Sequence, residues 1–351
     1  MKSGFHIPSF LIDEIICRSN IHRMAQKALA HGLIFRPHFK THQSVEVGEW
    51  FKDEGIRAIT VSSLTMAAFF ADAGWNDITI AFPMNIRETD GINHLAGKIR
   101  LNLLFDMPQQ ALVASKKIAH PAGYFIKADV GYHRSGVEPN DHETIQLILK
   151  ATQGTSLTFK GFLTHSGNTY HANSKDEILG IHNDAIGLLH ELKLQYQSLY
   201  PEILISIGDT PSCSIAKNFT GIDEIRPGNF AYFDLMQYHL GSCGFDEIAA
   251  TVICPVISVY PRRNQALIYG GAVHLSKESI ISKNGDKIFG LVVPFISDKW
   301  ENPQGDDYLV SLSQEHGIFT TESQWSKSLN TGDIVAVIPV HSCLAADLLK
   351  K

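Results

Sequence analysis

The chain has little of what marks secreted, membrane-spanning or nucleic-acid-binding proteins. Only five of its 351 residues are cysteine: Cys17, Cys213, Cys243, Cys254 and Cys343. They are few, odd in number and scattered, which argues against a disulfide framework and for reduced thiols in the cytoplasm. No Lys- or Arg-rich run stands out and the net charge is −6, so neither nucleic acid nor an anionic membrane surface is an expected partner. Residues 1–8 hold no sustained apolar core, and Asp13 and Glu14 break up the next stretch. A signal peptide or membrane span is therefore not expected. Low-complexity runs are missing as well.

The composition that is present is ordinary for a globular protein, 44% hydrophobic and 19% charged, enough for one large domain and a smaller one. From residue 33 onward, short apolar runs alternate with helical patterns. Strands are expected at 33–35, 57–61, 77–82, 100–105, 123–129, 160–164, 203–207 and 222–226, with an extra one near 10–12. The intervening stretches read as helices. Asp13 is a candidate N-cap, and Gly32, Gly55 and Gly74 are stops. Eight strands with connecting helices predict a (β/α)8 TIM-type barrel over residues 1–242. After residue 242 helical periodicity is nearly absent and turn signals separate strand-like runs. A smaller, all-β domain is expected over 243–351, and the strand near 8–12 is a candidate to pair with it.

The stretch Arg36-Pro37-His38-Phe39-Lys40-Thr41-His42 puts a lysine just past the first barrel strand, flanked by an arginine and two histidines. Cationic neighbours disfavour a protonated ammonium, and a free amine is what carbonyl chemistry needs, including a Schiff base with pyridoxal phosphate. Chemistry in such barrels sits at the C-terminal strand ends. Lys40, the run Asp129 to Gly136 with Arg134, the run His165 to His171, Gly208-Asp209-Thr210 and Arg226-Pro227-Gly228-Asn229 all fall on that rim. Glycine with backbone N–H groups and a hydroxyl suits a phosphate, and the last two loops supply both. A phosphate on one side of the mouth and a reactive lysine on the other describe a pyridoxal phosphate site.

The motif around Lys40 resembles the cofactor-lysine motif of the D-serine dehydratase and D-threonine aldolase family, fold-type III pyridoxal phosphate enzymes related to alanine racemase. The likeness extends to His165-Ser166-Gly167-Asn168-Thr169-Tyr170, Gly208 to Ser212, Glu224 to Phe230, Ser313-Gln314-Glu315-His316-Gly317 and His341-Ser342-Cys343. It implies that Lys40 holds the cofactor and takes the Cα proton. Gly208, Asp209, Thr210, Gly228 and Asn229 would line the phosphate. Tyr170 would lie beside the ring or its phenolic oxygen as a further catalytic residue. His38, Arg134 and His165 would be polar neighbours, and Arg226 resembles the racemase-like arginine facing the pyridine nitrogen.

His341 and Cys343 come just after a strand expected to end at residue 340. Residues two apart on a strand share a face, so imidazole and thiolate would converge, and nitrogen plus sulfur suits zinc. The resemblance implies a divalent metal on this pair, zinc first, with manganese or magnesium as alternatives. The His-x-Cys form resembles the dehydratase branch and His-x-Asp the aldolase branch. The expected activity is therefore a D-serine dehydratase-like elimination of water from a D-3-hydroxy amino acid. Retro-aldol cleavage, racemisation (with Tyr260 or Tyr269 as second base) and non-catalytic binding of pyridoxal phosphate are the alternatives. A homodimer is expected by analogy.

Overall fold

In a computed structural model, residues 4–282 and 284–350 are described, and they form two compact units: residues 21–228, and residues 4–20 together with the described residues from 229 to 350. The strands in chain order are β1 Ser9–Ile12, β2 Ile34–Phe35, β3 Ile59–Val61, β4 Asp77–Ile80, β5 Arg100–Phe105, β6 Ala122–Lys127, β7 Leu157–Leu163, β8 Leu204–Ile207 and β9 Glu224–Ile225. Next come β10 Ala250–Tyr260, β11 Gln265–Tyr269, β12 Ile280–Ile281, β13 Lys287–Ile288, β14 Gly290–Ile296, β15 Lys299–Trp300, β16 Tyr308–Leu312, β17 His316–Thr320 and β18 Ile334–Pro339.

The larger unit is the expected barrel. Its eight strands are parallel, in the order β2-β9-β8-β7-β6-β5-β4-β3. The seam between β2 and β3 closes through the residues just after β2. Thr60 donates to the Pro37 carbonyl, and Phe39 donates to the Thr60 carbonyl. Arg36 and His38 turn their N–H groups the other way, onto Ile225 and Pro227. Pro37 thus falls on the alternation where its missing N–H would have faced β3, and the pairing continues around it. By residue type alone the ladder is expected to end at this proline. One bond toward β3 is lost there, and the Pro37 carbonyl and the Phe39 N–H carry the seam past it through Thr60.

Local signals account for the connecting helices. Asp13 accepts from the Ile16 N–H at the start of helix Glu14–Ala30, Ser44 caps Val45–Asp53 and Ser63 caps Leu64–Asp72. Gly32, Gly55 and Gly74 have positive φ and end their helices. The turn carrying Lys40 is anchored by Phe39, fully buried against Phe51, Phe70 and Trp75. His42 belongs to the same packing: it stacks on Phe51, its Nδ1 accepts from the Ser44 N–H, and burial lowers its pKa to about 3.

The other unit holds a closed antiparallel barrel, which hides its edges: β10 pairs β11, and β17, β16, β14 and β18 complete the ring back to β10. β1 adds to β10, Ser9 opposite Ile253 and Ile12 opposite Ala250. The core is Val252, Cys254, Val256, Ile268, Val292, Leu309, Phe319, Val335 and Val337. Residues 229–242, expected from the sequence at the end of the barrel domain, lie in this unit. Two helices there, Ala272–Leu275 and Ser342–Leu349, are not expected from the sequence. Both are short, so neither shows enough turns for a helical period to register. Cys17, Cys213 and Cys254 are buried, and burial pushes their thiol pKa values up. Among the described residues, no helix is long and apolar enough to cross a membrane.

The β6–β7 register shifts beside Gly161, at φ +142, where an added Cβ would fall 1.9 Å from the Leu204 carbonyl oxygen. Gly161→Ala should lower stability by about 3 kcal/mol or more through strain and a backbone clash. Urea denaturation checks this, and a change within error of zero would show the bulge to be pliable.

Candidate active site

The barrel brings most of the rim residues together. His38 is half-buried on the β2 side, and its Nδ1 accepts the Lys40 N–H at 3.4 Å. Burial lowers the His38 pKa well below the ordinary imidazole value, and the charges of Lys40 and Arg226 lower it further. His165 responds in the same way: burial, then Lys40, holds it near 3. Both rings are therefore neutral at physiological pH, and both share the electrostatic neighbourhood of Lys40. The Nδ1 of His165 donates to the Gly208 carbonyl, so the lone pair of its ring is on Nε2.

Arg226 is buried, with Nε on Ser206 Oγ at 2.7 Å and Nη2 on the Thr164 carbonyl. Ser206 donates to Glu224 at 2.6 Å; the other Glu224 oxygen takes Arg36 Nε at 2.7 Å, and Arg36 also pairs with Asp77. Burial lowers the Arg226 pKa to about 10, so it stays cationic. The sequence suggests Arg36 and His42 as cationic neighbours of Lys40. The structure ties Arg36 to two carboxylates and leaves His42 neutral. Arg134 and Arg226 act as cations on His165, lowering its pKa after burial and Lys40. Arg134 itself is exposed, over the Tyr132 ring at 5.1 Å.

The residues expected to line a phosphate begin at the end of β8. The Thr210 N–H donates to the Tyr170 phenol oxygen at 3.3 Å. Thr210 Oγ1 and Ser212 Oγ are buried without a partner, and an anion with several acceptor oxygens would satisfy such hydroxyls. At Gly208 an added Cβ would meet Arg226 Cβ at 2.9 Å, and at Gly228 the His38 carbonyl oxygen at 2.7 Å, so only glycine lets these backbones approach. The residues present fit a phosphate. Tyr170 lies at that end, beside the Thr210 amide. The Asp209 carboxylate caps the next turn through Ser212 and accepts from Thr169, an inward supporting role beneath the loop.

Asn229 is placed differently from the expectation. Its side chain belongs to the other unit, where Nδ2 lies 2.7 Å from Asp234 Oδ2, 3.0 Å from Ser342 Oγ and 3.3 Å from Cys343 Sγ. His341 and Cys343, the pair expected to hold a metal, sit in this network. β18 stops at Pro339, and His341 is the N-cap of helix Ser342–Leu349, with Cys343 in its first turn. The expectation of two residues on one strand face is thus corrected: they are gathered by a helix start. Among the described residues no group of three or more His, Cys, Asp or Glu side chains gathers to hold a metal, so a two-residue site would need further ligands from water or substrate. One imidazole and one thiol suit zinc, and His341 Nδ1 rests 3.2 Å from the buried Asp234 carboxylate.

The matches to known proteins cover both units. The "Alanine racemase, N-terminal domain" family model matches residues 12–235, and the "Putative serine dehydratase domain" model matches residues 249–351. A D-serine dehydratase of Dictyostelium discoideum is 30% identical over 98% of this chain and 92% of its own length. The chain belongs to the D-serine dehydratase and D-threonine aldolase family. A D-threo-3-hydroxyaspartate dehydratase of Delftia sp. (strain HT23) is 26% identical over 96% of this chain and 90% of that one. A solved D-threo-3-hydroxyaspartate dehydratase, a cysteine-to-alanine mutant in the metal-free form, superposes with TM-score 0.90 at 24% identity, covering 98% and 93% of the two chains. That likeness speaks to the fold.

The sequence gives no role to Ser206, Glu224 or Asp234. Ser206 lies inside a strand, where it reads as ordinary alternation, Glu224 opens the run to Phe230 without a role of its own, and Asp234 follows that run. Lys127 was missed as well. It ends β6, is 5% exposed and bonds Ser135 Oγ. A lysine closing an otherwise apolar run was the available signal.

Burial and then Arg134 lower the Lys127 pKa from 10.5 to about 8. The unfolded chain holds that proton up to its ordinary pKa, so between these values it binds more protons than the folded protein, and stability rises with pH. The wild type should gain about 3 kcal/mol across that window relative to Lys127→Met. Urea melts at a series of pH values check this; parallel curves would refute it.

Proposed function

We propose that the protein is a pyridoxal phosphate-dependent, metal-assisted lyase that removes water from a D-3-hydroxy amino acid such as D-serine, giving a 2-oxo acid and ammonia. The observation that carries this reading is the barrel rim. There Lys40 shares its surroundings with two neutral histidines and a buried arginine, and unpartnered hydroxyls and close-packed glycines offer a place for a phosphate. Similarity to a D-serine dehydratase along nearly its whole length supports the same reading.

Lys40 would hold the cofactor through Nζ, and Tyr170, Thr210, Gly208 and the Gly228 backbone would hold its phosphate. When bound, pyridoxal phosphate supplies an electron sink for negative charge at the substrate Cα. His341 and Cys343 would hold a divalent metal, zinc by donor type, whose Lewis acidity would ease departure of the 3-hydroxyl. Lys40 Nζ is the base proposed to receive the Cα proton. The neutral His38 and His165 leave that amine without an adjacent imidazolium, whose charge would resist a second cation. His165, locked by the Gly208 carbonyl, presents Nε2 as an acceptor in a fixed direction. Arg226, held by Ser206 and Thr164, keeps a fixed positive charge in the barrel. The balance closes: the Cα proton and the hydroxyl leave as water, and hydrolysis of the enamine product returns one water and frees ammonia. A homodimer is part of this reading, to be measured by light scattering.

Three substrates separate the alternatives. Pure protein incubated with D-serine, D-threonine and D-threo-3-hydroxyaspartate should release ammonia and a 2-oxo acid. Glycine and an aldehyde would instead mean retro-aldol cleavage, and the L-enantiomer racemisation. Borohydride treatment and then peptide mapping should find the reduced cofactor on Lys40, and an adduct on another lysine would sink the assignment.

The metal is tested separately. Chelation should abolish elimination and leave cofactor absorbance intact, and added zinc should restore activity to the wild type but not to Cys343→Ala. Full activity in verified metal-free protein would reduce His341 and Cys343 to a packed helix start.

A further inference from the structure

The two residues proposed to hold the metal lie on one turn at a helix start, and a residue 107 positions before His341 holds that turn. Asp234 is fully buried. Its Oδ1 accepts the Gln237 N–H at 2.9 Å and so caps the short helix Leu235–His239. Its Oδ2 faces the turn: it accepts the Ser342 backbone N–H at 2.9 Å and the Ser342 hydroxyl at 3.3 Å, takes Asn229 Nδ2 at 2.7 Å, and lies 3.2 Å from His341 Nδ1.

We propose that Asp234 is a positioning residue that sets His341 in its Nδ1–H tautomer and, with Asn229, preforms the His341–Cys343 pair for a metal. Asp234 Oδ2 already accepts from the Ser342 backbone N–H and from Asn229, so the His341 nitrogen facing that acceptor is the one that carries the proton. The ring's lone pair is then on Nε2, the atom a metal would take. An imidazole without this partner divides its neutral form between two tautomers, and one of them turns N–H toward the metal. Asn229 extends the clamp. Its amide nitrogen, not its oxygen, must face Asp234, because two acceptors would repel. The same nitrogen therefore lies 3.3 Å from Cys343 Sγ and can donate to it. The network orders both donor side chains and the Ser342 backbone between them, so a metal entering has less conformational freedom to remove.

This inference rests on the reading of His341 and Cys343 as metal residues, and the test keeps the two apart. The full-length protein, loaded with pyridoxal phosphate and stripped of metal, is labelled with 15N-histidine, and the His341 signal is assigned by its loss in His341→Gln. At pH 8 a two-bond 1H–15N spectrum should show the Nδ1–H tautomer. The Nε2–H form, or an even mixture, overturns the proposal without reference to any metal. Zinc affinity is then measured by chelator competition. Asp234→Asn, which can turn an N–H toward His341, should bind zinc about 10–100-fold more weakly than the wild type while keeping its thermal midpoint within a few degrees. Unchanged affinity overturns the proposal. If Asp234→Asn does not fold, the wild-type tautomer decides alone. A wild type that takes up no zinc defeats the metal reading instead, and the tautomer spectrum still upholds or overturns the role of Asp234.

Discussion

The barrel depends on one buried chain of charges. Arg36 lies between Asp77 and Glu224, Glu224 reaches Ser206, and Ser206 holds Arg226. Each link joins different strands, and every charge in it is partnered. Removing one partner from such a chain costs about 3–5 kcal/mol, because the others stay buried without compensation. The same chain decides the chemistry above it. It fixes Arg226, whose charge adds to burial and to Lys40 in keeping His38 and His165 neutral. The rim is thereby set up as a place where an amine and an anion can reside beside uncharged imidazoles.

The other unit repeats the device on a smaller scale. There a single carboxylate, Asp234, gathers His341, Ser342 and Asn229 and so decides how the paired imidazole and thiol are presented. In both units a buried acid organises a functional side chain from behind. A buried carboxylate is costly unless several donors satisfy it. Where it survives, its donors are held in place, and so are the groups attached to them.

Much of the fold was legible in the chain. Eight apolar runs with caps and glycine stops between them pointed to the barrel, because hydrophobic period and capping are local properties. Lys40, Arg226 and the Gly208 loop were placed on one rim by the rule that strands point their C-terminal ends the same way. The sequence places His341 to Cys343 at a strand end, since residues 334–340 are strongly β in character, and only the geometry after Pro339 reveals that His341 caps the helix Ser342–Leu349. Residues 229–242 were assigned by position to the barrel. Their backbone instead packs in the other unit, where the Met236 N–H meets the Val340 carbonyl.

The sequence by itself determined the set of reactive groups and the order of the strands: a lysine after the first, glycine loops after the seventh and eighth, a histidine and a cysteine near the end. Those come from residue type and spacing, which need no partner. Only the tertiary structure decided which of the polar residues serve and which support. Arg36 and Asp209 stand in the motifs yet bind carboxylate and backbone beneath the rim, whereas Ser206 and Asp234 stand outside the motifs and hydrogen-bond residues within them, Arg226 and His341. The reason is distance along the chain: Arg36 meets Glu224 across 188 residues, and Asp234 meets His341 across 107. A hydrogen bond of that span leaves no local pattern, because its two ends are matched only when the chain has folded.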